Sequence, residues 1–197
     1  MKIAYQGIEG SYSESCALEM YPDCETIACK TFDDVFNKAN EDGEVRAIIP
    51  ESNKTTGNIG VEYLIFKYRL NIYQEKFYPI HHHLLGLPGT KIEDVKNVFS
   101  HAQGLSQCSN FIKKNNFIEN VRADTAGSAK YVSESKEKSK AAIASKESSK
   151  IYNLEIIEKL IANEKNNITR FLLMQKSVTQ PDYGKGNYIT SLLFKLK

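Results

Sequence analysis

An α/β fold with a largely parallel sheet is what the sequence predicts, and three observations predict it. Apolar strand-like runs, small-residue turns and helical stretches alternate along the chain. The 197 residues, 41% of them hydrophobic, suffice for one large domain or two small lobes around a real core. Finally, four strand-to-helix junctions carry Gly, Ser and Thr, as do the carboxyl ends of strands in open α/β sheets.

The elements follow in order. Lys2–Gln6 is a short apolar-rich strand running into Gly7-Ile8-Glu9-Gly10-Ser11-Tyr12-Ser13, with a helix from about Glu14 to Met20. Thr31-Phe32-Asp33-Asp34 has the form of a capping box and opens a helix toward Asn40. Arg46–Pro50 reads as a buried strand, Thr55–Gly60 as a turn and Val61–Tyr68 as a helix. Leu70–His83 alternates well enough for one strand, and Asn97–Ser100 is another, before a helix over Leu105–Asn115. Val121–Thr125 leads into a helix over Ala126–Val132, and Ser133–Lys140 is an exposed helix end or loop. Ala141–Ser145 is a small-residue strand before a helix over Lys146–Tyr152, Asn153–Ile161 is ambiguous, and Thr169–Gln175 closes the fold as a strand. Val178–Asn187 then reads as a linker and Tyr188–Leu196 as a single strand.

Composition excludes several functions. With 26 basic against 24 acidic residues the net charge is +2, which gives no electrostatic footprint for nucleic acid. No window approaches a membrane span, and no apolar leader precedes the first strand, so the cytoplasm is the expected compartment. Cys16, Cys24, Cys29 and Cys108 form no CxxC pair and are expected as reduced thiols. Only four basic residues are Arg (Arg46, Arg69, Arg122 and Arg170), and Arg is the better planar clamp for carboxylates.

Four junctions hold the candidate chemistry: Gly10–Ser13, Thr55–Gly57, Ser100–Gly104 and Thr125–Ser128. Helix N-termini there offer N–H groups and positive dipole ends to an anion, although Ser and Thr also serve simply as N-caps. Together they favour a small anionic ligand in one cleft. Gly7-x-x-Gly10 is neither a dinucleotide nor a Walker pattern. His81-His82-His83 invites a metal, but neighbours on a strand diverge and no third ligand stands nearby, so the histidines read as structural. Ser100-His101 fails as a nucleophile pair for the same geometric reason. In Asn166-Asn167-Ile168-Thr169-Arg170-Phe171 a polar loop enters an apolar strand, with Thr169 and Phe171 on one face and Arg170 on the other. A threonine hydroxyl is a weak acid, yet in a dry, preorganised site it can hand a proton to a departing group; a plain strand residue is the alternative.

These residues, taken in order, resemble the catalytic domain of prephenate dehydratase over about residues 1–177. Gly7–Ser13 is similar to that family's G-P-E-G-T-F-S, and Ser100-His101-Ala102-Gln103-Gly104-Leu105-Ser106-Gln107-Cys108 to its S-H-P-Q-A-L-A-Q-C. Pro79–Leu84, Asp124-Thr125-Ala126, Ala141–Ser145 and the diagnostic Thr169-Arg170-Phe171 follow in the family's order. The resemblance implies two α/β lobes around a cleft, like the periplasmic binding protein type II fold. One lobe would comprise residues 1–78 plus about 171–177 and the other residues 79–170, with 178–197 a linker and the truncated start of an ACT domain.

It also implies a reaction in which prephenate loses carbon dioxide and its ring hydroxyl to give phenylpyruvate, on the route to phenylalanine. Aromatisation drives that step, so no metal or redox cofactor is implied. By carry-over Thr169 is the proton donor to the leaving hydroxyl, and Asn53, Ser100, Gln103 and Thr125 orient the ring and carboxylates. Phe171 packs against the ring, and Arg170 either meets the side-chain carboxylate or sits in a structural pair. The expected partner is the small-molecule substrate, with a homo-oligomer as the assembly and no nucleic acid or membrane. One departure stands out. Where the family carries P-I/V-E-N-S-x-x-G, this chain has Pro50-Glu51-Ser52-Asn53-Lys54-Thr55-Thr56-Gly57, so Ser52 and Lys54 replace the pattern's Glu and Ser. Glu51 is expected to point away from 52 and 54 and not to stand in without a register change. Lys54 near the substrate would favour dianionic prephenate over arogenate, whereas a solvent-facing Lys54 would affect neither. The alternatives are an arogenate dehydratase, or a weakened homologue acting as a small-anion binding protein.

Overall fold

The computed structural model describes residues 1–176, so the expected linker and ACT-like strand of residues 178–197 lie outside the described residues. Two α/β lobes face each other across a cleft. The first sheet has the order β2-β1-β3-β11-β5, from Glu25–Cys29 (β2), Lys2–Gln6 (β1), Val45–Asn53 (β3), Ile168–Gln175 (β11) and Asn71–Pro79 (β5), with the two-residue β4 (Gly57–Asn58) on the end of β3. The second runs β10-β6-β9-β7-β8, from Glu155–Glu158 (β10), His83–Gly86 (β6), Lys140–Ala144 (β9), Asn97–Ser100 (β7) and Ile118–Val121 (β8).

The sheets are mixed rather than largely parallel. β1 pairs parallel with β2 and β3, but β11 inserts antiparallel between β3 and β5. In the second sheet β7 is parallel to β8 and β9, whereas β6 and β10 run antiparallel. The cause is the chain's path: it leaves the first sheet after Pro79, builds the second, and re-enters the first at Ile168 travelling the other way. Thr169 and Arg170 therefore lie on a strand of the first sheet.

Helices cover both faces of each sheet. On the first, α2 (Phe32–Glu41) and α3 (Glu62–Tyr68) seal a core of Val35, Phe36, Ile49, Leu64 and Leu172, while α1 (Tyr12–Met20) covers Ile3, Tyr5, Ile48, Phe171 and Leu173. The expected capping box is present: Thr31 Oγ1 accepts from Asp34 N–H, and the Asp34 carboxylate accepts from Thr31 N–H. On the second sheet, α4 (Ala102–Gln107) and α5 (Ser109–Lys114) cover Val98, Leu105, Ile112 and Ile143, with α6 (Thr125–Ser135) and α7 (Lys146–Ile151) on the opposite face.

Three elements differ from expectation. Leu70–His83 is not one strand: β5 stops at Pro79, Ile80–His82 cross between the sheets, and Ile80 N–H is taken by the Asn167 carbonyl. The helix expected over Leu105–Asn115 is two, meeting at Cys108, and it begins earlier because the His101 ring accepts from Gln103 N–H at its start. β2 carries no strong apolar alternation, being an edge strand with only Cys29 fully buried, and the sequence pattern passes over it.

The lobes are also tied at Gly10. Its carbonyl accepts from both Ser145 and Ser148 hydroxyls (2.8 and 2.9 Å), and Tyr152 OH donates to the Glu9 carbonyl. At φ +86° a Cβ on residue 10 would stand 3.2 Å from Ser148 Cα, so only glycine admits this approach without strain.

Candidate active site

Between the lobes lies a cavity of about 580 Å³, within the range of small-molecule sites. Its floor belongs to the first sheet. Thr169 on β11 stands opposite Asn53 on β3, and Phe171 opposite Pro50, and all four line the cavity. Simple alternation would place Pro50 and Asn53 on opposite faces. A bulge at Glu51, where the pairing with β11 shifts between Arg170 and Phe171, restores them to one face.

Glu51 does not point away from Ser52 as expected: at the bulge its Oε2 accepts from Ser52 Oγ at 2.5 Å and pairs with Arg170 at 3.5 Å, outside the cavity lining. Arg170 is held chiefly by Glu75, Nε to Oε2 at 2.7 Å. Its guanidinium belongs to that pair and Arg170 is not among the cavity-lining residues, the placement of the structural alternative. Lys54 is exposed and also outside the cavity lining; its N–H bonds the Ile168 carbonyl.

Thr169 is 6% exposed, and its hydroxyl has a defined polarity. Asn53 Oδ1 accepts from the Thr55 backbone N–H (2.9 Å), which fixes the amide, because a backbone N–H can only donate. Asn53 Nδ2 must then donate to Thr169 Oγ1 (2.9 Å) and Asn167 Oδ1 (2.7 Å). Thr169 Oγ1 accepts there, which leaves its own proton for a group in the cavity.

The second lobe closes the site with α4 and α6. Gln103 Nε2 donates to Thr56 Oγ1, and Gln107 Nε2 to Thr55 Oγ1 at 2.8 Å, two bonds that span the lobes. Thr125 opens α6 at the cavity wall behind the N-cap Asp124, whose Oδ1 takes Gly127 N–H. Ser11 caps α1 through Glu14 N–H, and the first intrahelical bond is Ser15 N–H to Ser11 O. The N–H groups of Tyr12 and Ser13, like those of Thr125 and Ala126, therefore precede the helix ladder, at positive dipole ends suited to an anion. No Lys or Arg lines the cavity among the described residues.

Five of the seven expected residues thus meet at the cavity: Thr169, Asn53, Gln103, Thr125 and Phe171. Ser100 does not. It is fully buried, and its hydroxyl donates to the Ile143 carbonyl at 2.7 Å. Gly104 allows that placement, since a Cβ at 104 would lie 2.7 Å from Ser100 Oγ. Sequence reading missed Gln107, Asn167 and Tyr12. The signals were there: Gln107 is one turn after Gln103 on α4, and Asn167 shares the Thr169 face two residues before it.

Two of the three consecutive histidines are held by hydrogen bonds within the fold. His82 is buried and bonded to Tyr12 and Gln107, and burial pushes its pKa down to about 4. His83 Nδ1 accepts from Leu160 N–H, and burial lowers its pKa as well. No group of three His, Cys, Asp or Glu placed to hold a metal occurs among the described residues. Nor is any described helix long and apolar enough to cross a membrane.

Comparison with known proteins agrees with the motifs. The family model for prephenate dehydratase matches residues 3–179. The chloroplastic arogenate dehydratase/prephenate dehydratase 1 of Arabidopsis thaliana is 40% identical over 100% of this chain and 50% of its own length. A prephenate dehydratase from Arthrobacter aurescens in complex with L-Phe shares the fold, with a TM-score of 0.85 at 21% identity over 93% of this chain and 63% of that one. GqqA, described as a novel type of quorum quenching acylase, gives a TM-score of 0.84 at 28% identity, over 93% and 67% of the two chains. The chain spans about half the length of the curated relatives it matches. Motif order, family model and sequence identity converge, and the chain belongs to the prephenate dehydratase family.

Proposed function

We propose that this chain catalyses the decarboxylating dehydration of prephenate to phenylpyruvate, with Thr169 as the proton donor. The observation that carries the reading is the polarity of the Thr169 hydroxyl: it accepts from Asn53 and keeps its proton for the cavity. In the reaction the ring carboxylate leaves as carbon dioxide, and the C–C bonding pair enters the ring and completes the aromatic system. The ring C–O bond breaks in step, and the departing hydroxide takes the Thr169 proton to leave as water. Solvent returns a proton to Thr169, so one proton is consumed overall. Threonine is too weak an acid to protonate the hydroxyl beforehand, so transfer is useful only as the C–O bond breaks. The N-termini of α1 and α6 would hold the carboxylates, and Phe171 the ring, beside the Tyr78 ring that it meets edge-on.

A second reading, arogenate as substrate, is favoured by one feature. The residues lining the cavity include Asp33 and Asp124 and no Lys or Arg among the described residues, a better match for an ammonium than for a second anion. The exposed position of Lys54 removes the sequence-based argument for prephenate. Both readings share the Thr169 step. We further propose a reducing compartment such as the cytoplasm, supported by the four free cysteines, and no nucleic-acid partner, supported by the near-neutral charge.

The test is turnover of both compounds by purified protein, phenylpyruvate from prephenate followed by its ultraviolet absorbance and phenylalanine from arogenate by chromatography. Turnover of prephenate supports the first reading, and a strong preference for arogenate the second. Binding of either without turnover would make the chain a small-anion binding protein instead.

A further inference from the structure

The polarity that leaves Thr169 its proton does not stop at Asn53. Each amide in the seam between the lobes dictates the next. Asn53 Nδ2 donates to Asn167 Oδ1, so Asn167 must present its Nδ2 to Gln107 Oε1, at 2.9 Å. Reversing Asn167 would set two NH2 groups face to face. With its Oε1 so placed, Gln107 turns its Nε2 to Thr55 Oγ1, and Thr55 Oγ1 can pass its own proton to Asn53 Oδ1 at 2.6 Å. Gln107 Oε1 also faces His82 Nε2 at 2.8 Å, and an oxygen there requires that nitrogen to carry the proton.

His82 is buried and held neutral, so its other nitrogen, Nδ1, is then a bare acceptor. Facing it at 2.9 Å is Tyr12 OH, whose single proton is shared between that nitrogen and the His81 carbonyl, to which it donates at 2.8 Å. Tyr12 stands on α1 of the first lobe, His82 in the crossover, and Gln107 on α4 of the second. We propose that His82 is a positioning residue for the Thr169 step: its Nε2–H, required by Gln107 Oε1, holds Gln107 in place and so supports, through Asn167 and Thr55, the Asn53 amide whose direction the Thr55 N–H sets, while Tyr12 OH steadies the ring. In this chain Tyr occupies the position of the Phe in the G-P-E-G-T-F-S pattern, so the hydroxyl beside His82 is one that the pattern does not provide.

The proposal rests on Thr169 being the acid, and its test separates the two. The tautomer of His82 is read by nitrogen NMR on histidine-labelled protein, with the signal identified by its loss in His82→Gln; turnover is measured beside it. The expected result is a neutral Nε2–H ring in the parent. His82→Leu should lower kcat by about three- to tenfold, the scale of one hydrogen bond, whereas Tyr12→Phe should keep the Nε2–H tautomer, which Gln107 Oε1 still demands. His82→Gln supplies an N–H near the lost Nε2 and should keep more kcat than His82→Leu. A parent ring protonated at Nδ1, a Tyr12→Phe ring that changes tautomer, or equal loss in His82→Gln and His82→Leu would each overturn the proposal. If Thr169→Ala matched the parent in rate while the tautomer held, the assignment of the acid would fail and the hydrogen-bond order would stand.

Discussion

The two lobes contribute to one cavity in different ways. The first supplies side chains from its two central strands, Thr169 on β11 and Asn53 on β3, directly opposite each other in the ladder. The second supplies no strand side chain to it but a helix beginning and glutamines, the N-terminus of α6 and Gln103 and Gln107 on α4, and the first adds the N-terminus of α1 to its strands. A paired strand in mid-sheet holds its side chains to a fraction of an ångström, because neighbours on both sides fix its backbone; β11 lies between β3 and β5. A helix end offers N–H groups with less exact placement, which suits holding a carboxylate. The difference teaches where to look for the reacting group: on the lobe whose strands are locked on both sides, with the other lobe closing over it.

The sharpest way to break this division is Thr169→Ala. Loss of a positioned proton donor should lower kcat by about 10²–10⁴-fold with little effect on the unfolding midpoint, and Thr169→Ser should recover part of it. A variant as fast as the parent would move the chemistry off the first lobe.

Next in size is a pH effect at the seam between the lobes. Unfolded His82 binds a proton below about pH 6.5, whereas in the fold burial keeps it neutral down to about 4. Between those values the unfolded chain binds more protons, so this contribution is complete above about 6.5 and is lost as pH falls toward 4. At full size it is on the order of 3 kcal/mol. Urea unfolding of the parent and of His82→Gln at about pH 7 and about pH 4.5 isolates it, since only the parent should carry this part of the slope.

Arg170 sharpens the comparison within the first lobe, face against face. Because it pairs with Glu75 and Glu51 away from the cavity, Arg170→Gln should cost about 1–2 kcal/mol of stability and leave KM within about twofold. A large rise in KM with unchanged stability would return Arg170 to the substrate. The smallest effect is expected on the second lobe: Gln103→Ala removes the bond to Thr56 and should raise KM by about three- to tenfold, with a smaller change in kcat.

Much of this was legible in the chain itself. Local pattern marked β1 and β7 at their observed ends, the capping box of α2, and Thr169 and Phe171 on one face with Arg170 on the other. These depend on side-chain alternation and on residues within one turn of each other, which a sequence displays directly. The motifs in their order were enough to place the chain in its family and to name five of the residues that meet at the cavity.

Tertiary structure decided the rest, because it depends on partners distant in sequence. That β11 runs antiparallel between β3 and β5 follows from the chain's return at Ile168, which no local pattern records. The bulge that sets Glu51 beside Arg170 and keeps Asn53 over the cavity exists only in the pairing of β3 with β11. Ser100 turned to Ile143, Arg170 to Glu75, and Gln107 to His82 and Asn167 through contacts that close only when the strands and lobes come together. Sequence determined which groups could serve as donor, acceptor or charge; the direction of each hydrogen bond was settled where a backbone N–H, that of Thr55, meets Asn53 in the folded seam.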